Sequence, residues 1–432
     1  LREARYHPLT FYPEARSRYG DAVRFRSIGR FHWLLLAHPA DIEYVVRVNH
    51  QNYVKGLFSH SIKLLVGEGL LTSEGSFWLR QRRLAQPAFH RKRLAALGTI
   101  TTRAAEAMVR SWEPYARKAQ PFDVNGEMMP LTLRIVGEAL FSADVSGDAD
   151  TVRRALTVAL EHVDYRSYSL FALPERVPTP RNRRFIRARQ LLDAVVLKLI
   201  EERRRSGEDA GDLLSMLLLA RDEDTGESMS DAQLRDEVMT ILLAGHETTA
   251  NALSWAWYLL TQNPEAERKL HAELADVLAG RTPSLDDLPR LPYTRMVIDE
   301  TLRLYPPAWG IVRQPIADDE IRGYRIPAGV PVFLSQYVTH RHPDFWEQPD
   351  LFDPDRWRPE RSVGRPSFAY FPFGGGPRLC IGNNFALMEA QLVLATVAQR
   401  FRLRVARNFP VEPRPMVTLR PLNGIWMTLE PR

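Results

Sequence analysis

The stretch Phe373-Gly374-Gly375-Gly376-Pro377-Arg378-Leu379-Cys380-Ile381-Gly382 decides the reading, and it holds the only cysteine among 432 residues. A solitary cysteine is by default a small buried hydrophobe. Three consecutive glycines and a proline, just before a helical pattern from about Asn384 to Arg400, argue for more. Glycine admits backbone conformations and close approaches that a side chain would block. Such a loop can aim several N–H groups at one sulfur, and the helix N-terminus beyond it favours an anion. Both effects stabilise a thiolate, the form that ligates metal or attacks. A phosphate-binding loop is the rival reading of the glycines, but the Lys-Ser/Thr ending it needs is absent. A cysteine nucleophile is a further alternative, with no paired His identifiable. One cysteine excludes an internal disulfide framework and any multi-cysteine zinc or iron–sulfur site.

Upstream, Ser230 is placed to cap a helix, with Gln233 completing a capping box. The helix is expected to continue to about Thr261, some thirty residues and roughly 45 Å long. A helix of that length must cross the molecule. Its middle reads Ala244-Gly245-His246-Glu247-Thr248-Thr249, where glycine and two threonines weaken the helix and an acid is expensive to bury. Local rules broken at one point suggest a functional site; a tolerated polar kink is the bland alternative. His246-Glu247 also invites a zinc-protease reading. That pattern needs a second His four residues on, and position 250 is Ala.

Glu300 and Arg303 stand at i, i+3, a spacing that recurs at Glu201/Arg204, Glu202/Arg205 and Glu265/Arg268. Most such pairs are surface contacts worth little. Around Glu300 and Arg303, however, crowd Leu302, Leu304, Tyr305, Pro306 and Pro307. A buried pair there needs a further hydrogen-bonding partner.

The rest of the chain frames these pieces. Strands are expected at Val23–Arg26 and Trp33–Ala37, separated by Gly29, giving a β-rich edge over about 1–40. A helical body follows over about 40–305, punctuated by Pro87, Pro114, Pro130, the Pro174 to Pro180 loop and the acidic turn from Asp222 to Ser228. In the mixed part over about 306–432, Tyr324–Ile326 and Val330–Ser335 read as a hairpin joined by Pro327-Ala328-Gly329. The whole is read as one unit, mainly α with small peripheral β-sheets. At 45% apolar and 25% charged, the composition is that of a soluble globular protein. No signal peptide opens it, and the most apolar stretch, Met239 to Leu260, is interrupted by His246 and Glu247. A cytoplasmic location and no transmembrane anchor are expected. The net charge of +6 hides a bias, since 52 of the 58 basic residues are Arg. The clusters Arg80 to Arg83, His90 to Arg93, Arg181 to Arg189 and Arg203 to Arg205 match no nucleic-acid fold. They read as solvated helix faces or as docking patches for an acidic protein.

Taken in order, these motifs resemble the cytochrome P450 haem-thiolate monooxygenases. The Phe373 to Gly382 stretch fulfils that family's cysteine-loop pattern without a departure, Ala244 to Thr249 resembles its oxygen-activating segment, and Glu300/Arg303 match its Glu-x-x-Arg pair. Phe352-Asp353-Pro354-Asp355-Arg356-Trp357 looks like the segment supplying the third member, Arg356, with Trp in place of the more usual Phe. Trp78 and Arg82, one helical turn apart, look like the pair that meets a haem propionate. The resemblance implies haem b lying between the long central helix and the Cys-loop with the last helix. Cys380 would ligate the iron, within a cofactor site formed by Phe373 and Gly382, and Arg82, Arg313 and Arg378 would pair with the propionates. Ala244 and Gly245 would leave room for dioxygen, while Thr248, backed by Glu247, would deliver protons. The expected reaction inserts one oxygen atom from O2 into a C–H bond or alkene of a lipophilic small molecule such as a fatty acid, terpenoid or carotenoid. Phe58, Leu64, Leu65, Ala244, Ala308, Trp309, Met416 and Val417 are the candidate pocket lining. Electrons would come from a ferredoxin or flavodoxin with its reductase, steered by Arg80, Arg83, Arg91 and Lys92. A haem-thiolate sensor without turnover is the competing class, and a non-haem helical scaffold a third.

Overall fold

A helix of 32 residues, Asp231–Gln262, is the axis of the structure, a computed structural model that describes residues 2–26, 32–56, 58–90, 94–143, 147, 149–169, 172–221, 226, 228–407 and 409–432. It starts where the sequence places it: Ser230 accepts from the Gln233 amide at 3.3 Å, and the Gln233 side chain accepts from the Ser230 amide at 2.8 Å. Most of its residues are buried on every side, as a helix apolar nearly all round requires. Helices Val124–Phe141, Pro180–Ser206, Pro292–Leu304 and Asn383–Ala398 pack against it. Together they form the main hydrophobic core.

The sheets are small and lie outside this helical body. One has five strands in the order Ala22–Arg26, His32–Leu36, Val332–Leu334, Ile311–Pro315 and Tyr53–Val54. A three-stranded sheet joins Phe122–Asp123, Trp426–Pro431 and Phe401–Val405. A hairpin pairs Pro413–Pro415 with Leu419–Pro421 and presents Met416, Val417 and Thr418 at its tip.

Three expectations need correction or fall outside the structure. The strand Tyr324–Ile326 pairs with Asp319–Ile321 through the two-residue turn Arg322-Gly323, both at positive φ (50° and 83°), the geometry a tight hairpin demands. Val332–Leu334 instead joins the five-stranded sheet, because its buried residues face the core there. Pro114 and Pro130 do not end helices but sit inside Leu94–Lys118 and Val124–Phe141. A helix-interior Pro costs about 3 kcal/mol, and burial of the long apolar faces around both offsets it. Gly29, at the first strand connection, and most of the acidic turn at 222–228 lie outside the described residues.

Of the acid–base pairs at i, i+3, Glu265/Arg268 forms an exposed bridge and Arg204 pairs with Asp231 instead of Glu201. Glu300 and Arg303 are fully buried, with both guanidinium–carboxylate contacts at 2.8 Å. Arg356 Nε adds a donor to Glu300 at 2.8 Å, and the Asp353 amide another at 3.0 Å. The remaining Arg303 and Arg356 N–H groups bond to carbonyls between His340 and Leu351. The segment leading to the Cys-loop is thereby tied to helix Pro292–Leu304.

Candidate haem and oxygen site

The Cys-loop is shaped by its glycines. Gly374 and Gly376 adopt positive φ of 73° and 62°. A side chain on Gly376 would collide with the Val46 carbonyl, and one on Gly375 with the Phe368 ring. The Cys380 N–H donates to the Phe373 carbonyl at 3.0 Å, closing the loop under the sulfur. Burial pushes the Cys380 thiol above its ordinary value, while the Gly382 N–H and the Arg82 cation pull the other way. Yet Cys380 carries accessible surface. A thiol both desolvated and accessible faces a space enclosed by protein.

Cations gather beside it. Arg82 Nη1 donates to the Leu379 carbonyl at 2.6 Å. Arg378 donates to the Ser73 carbonyl at 2.8 Å, pairs with Glu74 and lies over the Trp78 ring at 3.7 Å. The Trp78 ring is therefore covered by Arg378, a contact that chain spacing did not indicate. Arg313 donates to the Val312 carbonyl at 2.9 Å, and burial lowers its pKa. Lys55, which sequence reasoning missed, completes the group. Burial and the neighbouring Arg378 and Arg313 push its ammonium down to about 7, opposed by Glu74. Its Nζ bonds the Leu71 carbonyl, and its amide donates to Glu74 at 2.7 Å. Lys55, Arg313 and Arg378 thus share the one carboxylate of Glu74, with Arg82 close to Arg378, a surplus suited to a dianionic group such as the two propionates of haem. With a thiol held by a backbone N–H below, the donor set fits a thiolate-ligated iron porphyrin. No signal but its rarity in an Arg-rich chain could have marked Lys55.

On the central helix, Ala244 is exposed and Thr248 half-buried, although the segments flanking them are buried. Thr248 Oγ1 donates to the Ala244 carbonyl at 2.6 Å, so the two share one face. Gly245 does a different job from the one expected. A Cβ there would stand 2.9 Å from Val136, so its missing side chain lets helix Val124–Phe141 approach. His246 is buried, its imidazole pushed down to about 4 by desolvation, and its carbonyl accepts from Thr132 at 3.0 Å. Glu247 turns away from the Ala244 face and accepts from Thr418 Oγ1 at 2.5 Å, with Arg420 Nε at 3.6 Å. Thr418 and Arg420 were also invisible in the sequence.

The candidate pocket residues divide. Val417 is 37% exposed, and Ala308 and Leu64 are half-buried. Leu65, Trp309 and Met416 are closed off: Leu65 belongs to the main core, and the Trp309 indole donates to the Met416 carbonyl at 2.7 Å. These three support the walls in place of forming them. The Phe58 side chain lies outside the described residues, as do Arg91 and Lys92 of the candidate docking patch. Arg83 is exposed on helix Gly75–Ala85. Among the described residues no helix is long and apolar enough to cross a membrane.

Comparison with known proteins agrees with this geometry. The family model described as Cytochrome P450 matches residues 2–427. Cyclooctatin synthase of Streptomyces melanosporofaciens is 42% identical over 404 residues, covering 93% of this chain and 87% of that protein. Cyclooctat-9-en-7-ol 5-monooxygenase of the same organism is 38% identical over 387 residues, covering 89% and 83%. The solved cytochrome P450DA heme domain superposes with a TM-score of 0.89 at 29% identity, covering 98% of this chain and 93% of that one. The desolvated thiol, the cation cluster and these matches along nearly the whole sequence have one reading: the chain belongs to the cytochrome P450 family, the haem-iron monooxygenases.

Proposed function

We propose that the chain works as one haem b-binding unit in the cytoplasm, hydroxylating or epoxidising a terpenoid with electrons from a ferredoxin or flavodoxin and its reductase. The observation that carries this is that Cys380, in its glycine-shaped loop, and the Ala244–Thr248 face of an otherwise buried helix both keep accessible surface. The named relatives support the substrate class: two act in cyclooctatin chemistry, and Pentalenene oxygenase of Streptomyces avermitilis is 35% identical over 413 residues. Val417, Ala308 and Ala244 offer an apolar surface, which suits a lipophilic molecule.

When bound, haem supplies dioxygen activation and the oxidation itself. Cys380 would hold the iron, with Phe373 and Gly382 flanking it. Arg82, Arg313, Arg378 and Lys55 would hold the propionates and fix the plane of the ring, with Trp78 supporting Arg378. Ala244 keeps the centre of the helix free of bulk. The Thr248 hydroxyl, anchored on the Ala244 carbonyl, presents its oxygen to the chamber and passes on protons that Glu247 resupplies. Arg83, exposed, and Arg80, half-buried, would receive an acidic electron donor.

The test is the carbon monoxide difference spectrum of the reduced protein, followed by a terpenoid panel with surrogate redox partners. A thiolate-type spectrum and oxygenated product are expected. A spectrum without turnover of any terpenoid, carotenoid or fatty acid, despite electron delivery, would favour a sensor.

A further inference from the structure

Glu247, Asn251 and Trp255 stand four residues apart, so they form one stripe of the central helix, running alongside the Ala244/Thr248 face. All three bond to one short strand segment. Thr418 Oγ1 donates to Glu247 Oε1 at 2.5 Å, Asn251 Nδ2 donates to Thr418 Oγ1 at 3.4 Å, and Trp255 Nε1 donates to the Leu419 carbonyl at 3.1 Å. Asn125 Nδ2 donates in turn to Asn251 Oδ1 at 3.1 Å. The chain Asn125, Asn251, Thr418, Glu247 therefore runs donor to acceptor in one direction. It ends on the carboxylate, the one member that only accepts when ionised. Arg420, whose buried Nε and Nη2 make no hydrogen bond, adds its charge 3.6 Å from the same Glu247 oxygen. Val417, adjacent to Thr418, is the exposed tip of this hairpin.

We infer that Thr418 and Arg420 are positioning residues for Glu247, so that the strand offering Val417 to substrate also sets the orientation of the acid that feeds the Thr248 hydroxyl. This rests on the proposed roles of Glu247 and Thr248. A substrate pressing on Val417 displaces Thr418 with it, because the two are consecutive. The Glu247 contact then changes in the same movement, and proton supply becomes conditional on a seated substrate.

The experiment uses haem-loaded Thr418→Val, Thr418→Ser, Arg420→Gln and Glu247→Gln proteins, with the carbon monoxide spectrum as the check that haem and fold are retained. On the terpenoid the wild type oxidises best, Thr418→Val should lower product per electron consumed roughly fivefold, with KM within about twofold. Its solvent isotope effect should rise, Arg420→Gln should act in the same direction, and Thr418→Ser should restore coupling. Independently of turnover, hydrogen exchange of the 416–420 amides should quicken in Thr418→Val and in Glu247→Leu, which has no acceptor, and the double variant should fall short of the sum of the two, since both lose the Thr418–Glu247 bond. Full coupling in Thr418→Val beside an uncoupled Glu247→Gln overturns the inference alone. Full coupling in Glu247→Gln overturns the proton-supply reading on which it rests. Additive exchange effects show that Thr418 and Glu247 act separately and also overturn the inference.

Discussion

Trp357 Nε1 donates to Glu300 Oε2 at 3.0 Å. Tryptophan stands here where the family more usually has phenylalanine, and the larger ring brings a donor as well as area. The carboxylate of Glu300 thereby accepts from Arg303 twice, from Arg356, from the Asp353 amide and from Trp357, and it is fully buried. A buried charge is tolerable only with this degree of satisfaction. The Trp357 ring also lies 4.4 Å from Tyr370 between centroids, so it joins the Glu300 network to the segment entering the Cys-loop.

Trp357→Phe keeps a ring against Tyr370 and deletes one hydrogen bond to a charged group. It should lower the unfolding free energy by about 1–2 kcal/mol, read from urea denaturation, while haem content stays near normal. Glu300→Gln should cost more, roughly 3–5 kcal/mol, because it leaves two buried guanidinium groups without their anion. Haem retention should fall with it.

Gly376→Ala should impair the Cys-loop more than Gly374→Ala. Both positions have positive φ, but only at Gly376 would the new methyl meet the Val46 carbonyl, whereas Gly374 opens on free space. The haem-to-protein ratio after purification and the position of the reduced carbon monoxide band check this ranking.

Thr248→Ala removes the hydroxyl that bonds the Ala244 carbonyl. Substrate binding should be retained. Product per electron should drop roughly tenfold, with peroxide released in its place. Unchanged coupling would remove Thr248 from the proton path.

Stability should fall as the solution is acidified below about pH 6.5. Burial pushes His162, His246 and His271 down to about 4 each. An unfolded imidazole titrates near 6.5, so between about pH 6.5 and 4 the unfolded chain binds more protons and is favoured. The stability these neutral imidazoles allow is present above that window and lost through it. For the fully enclosed His246 this is on the order of 3 kcal/mol. Urea midpoints measured from pH 7 to 4 should decline, and His246→Gln should flatten part of the slope.

Much of the site was legible along the chain because its constraints are local. The capping box at Ser230 and Gln233, the i, i+3 pairing of Glu300 with Arg303, the i, i+4 alignment of Ala244 with Thr248 and the glycines before Cys380 all act within a few residues. Helix geometry and steric exclusion are properties of short segments, and residue spacing encodes them. The same applies to the strands at 22–26 and 32–36. The error over Val332–Leu334 arose because a strand's partner is chosen by which buried face it completes, a decision made between distant segments. Tertiary structure alone brought Lys55 to Glu74 and Arg378, stacked Trp78 under Arg378, spent Gly245 on Val136 and turned Glu247 toward Thr418, 171 residues away. Electrostatic and hydrogen-bonding partners depend on separation in space, and chain spacing carries no record of it once loops intervene.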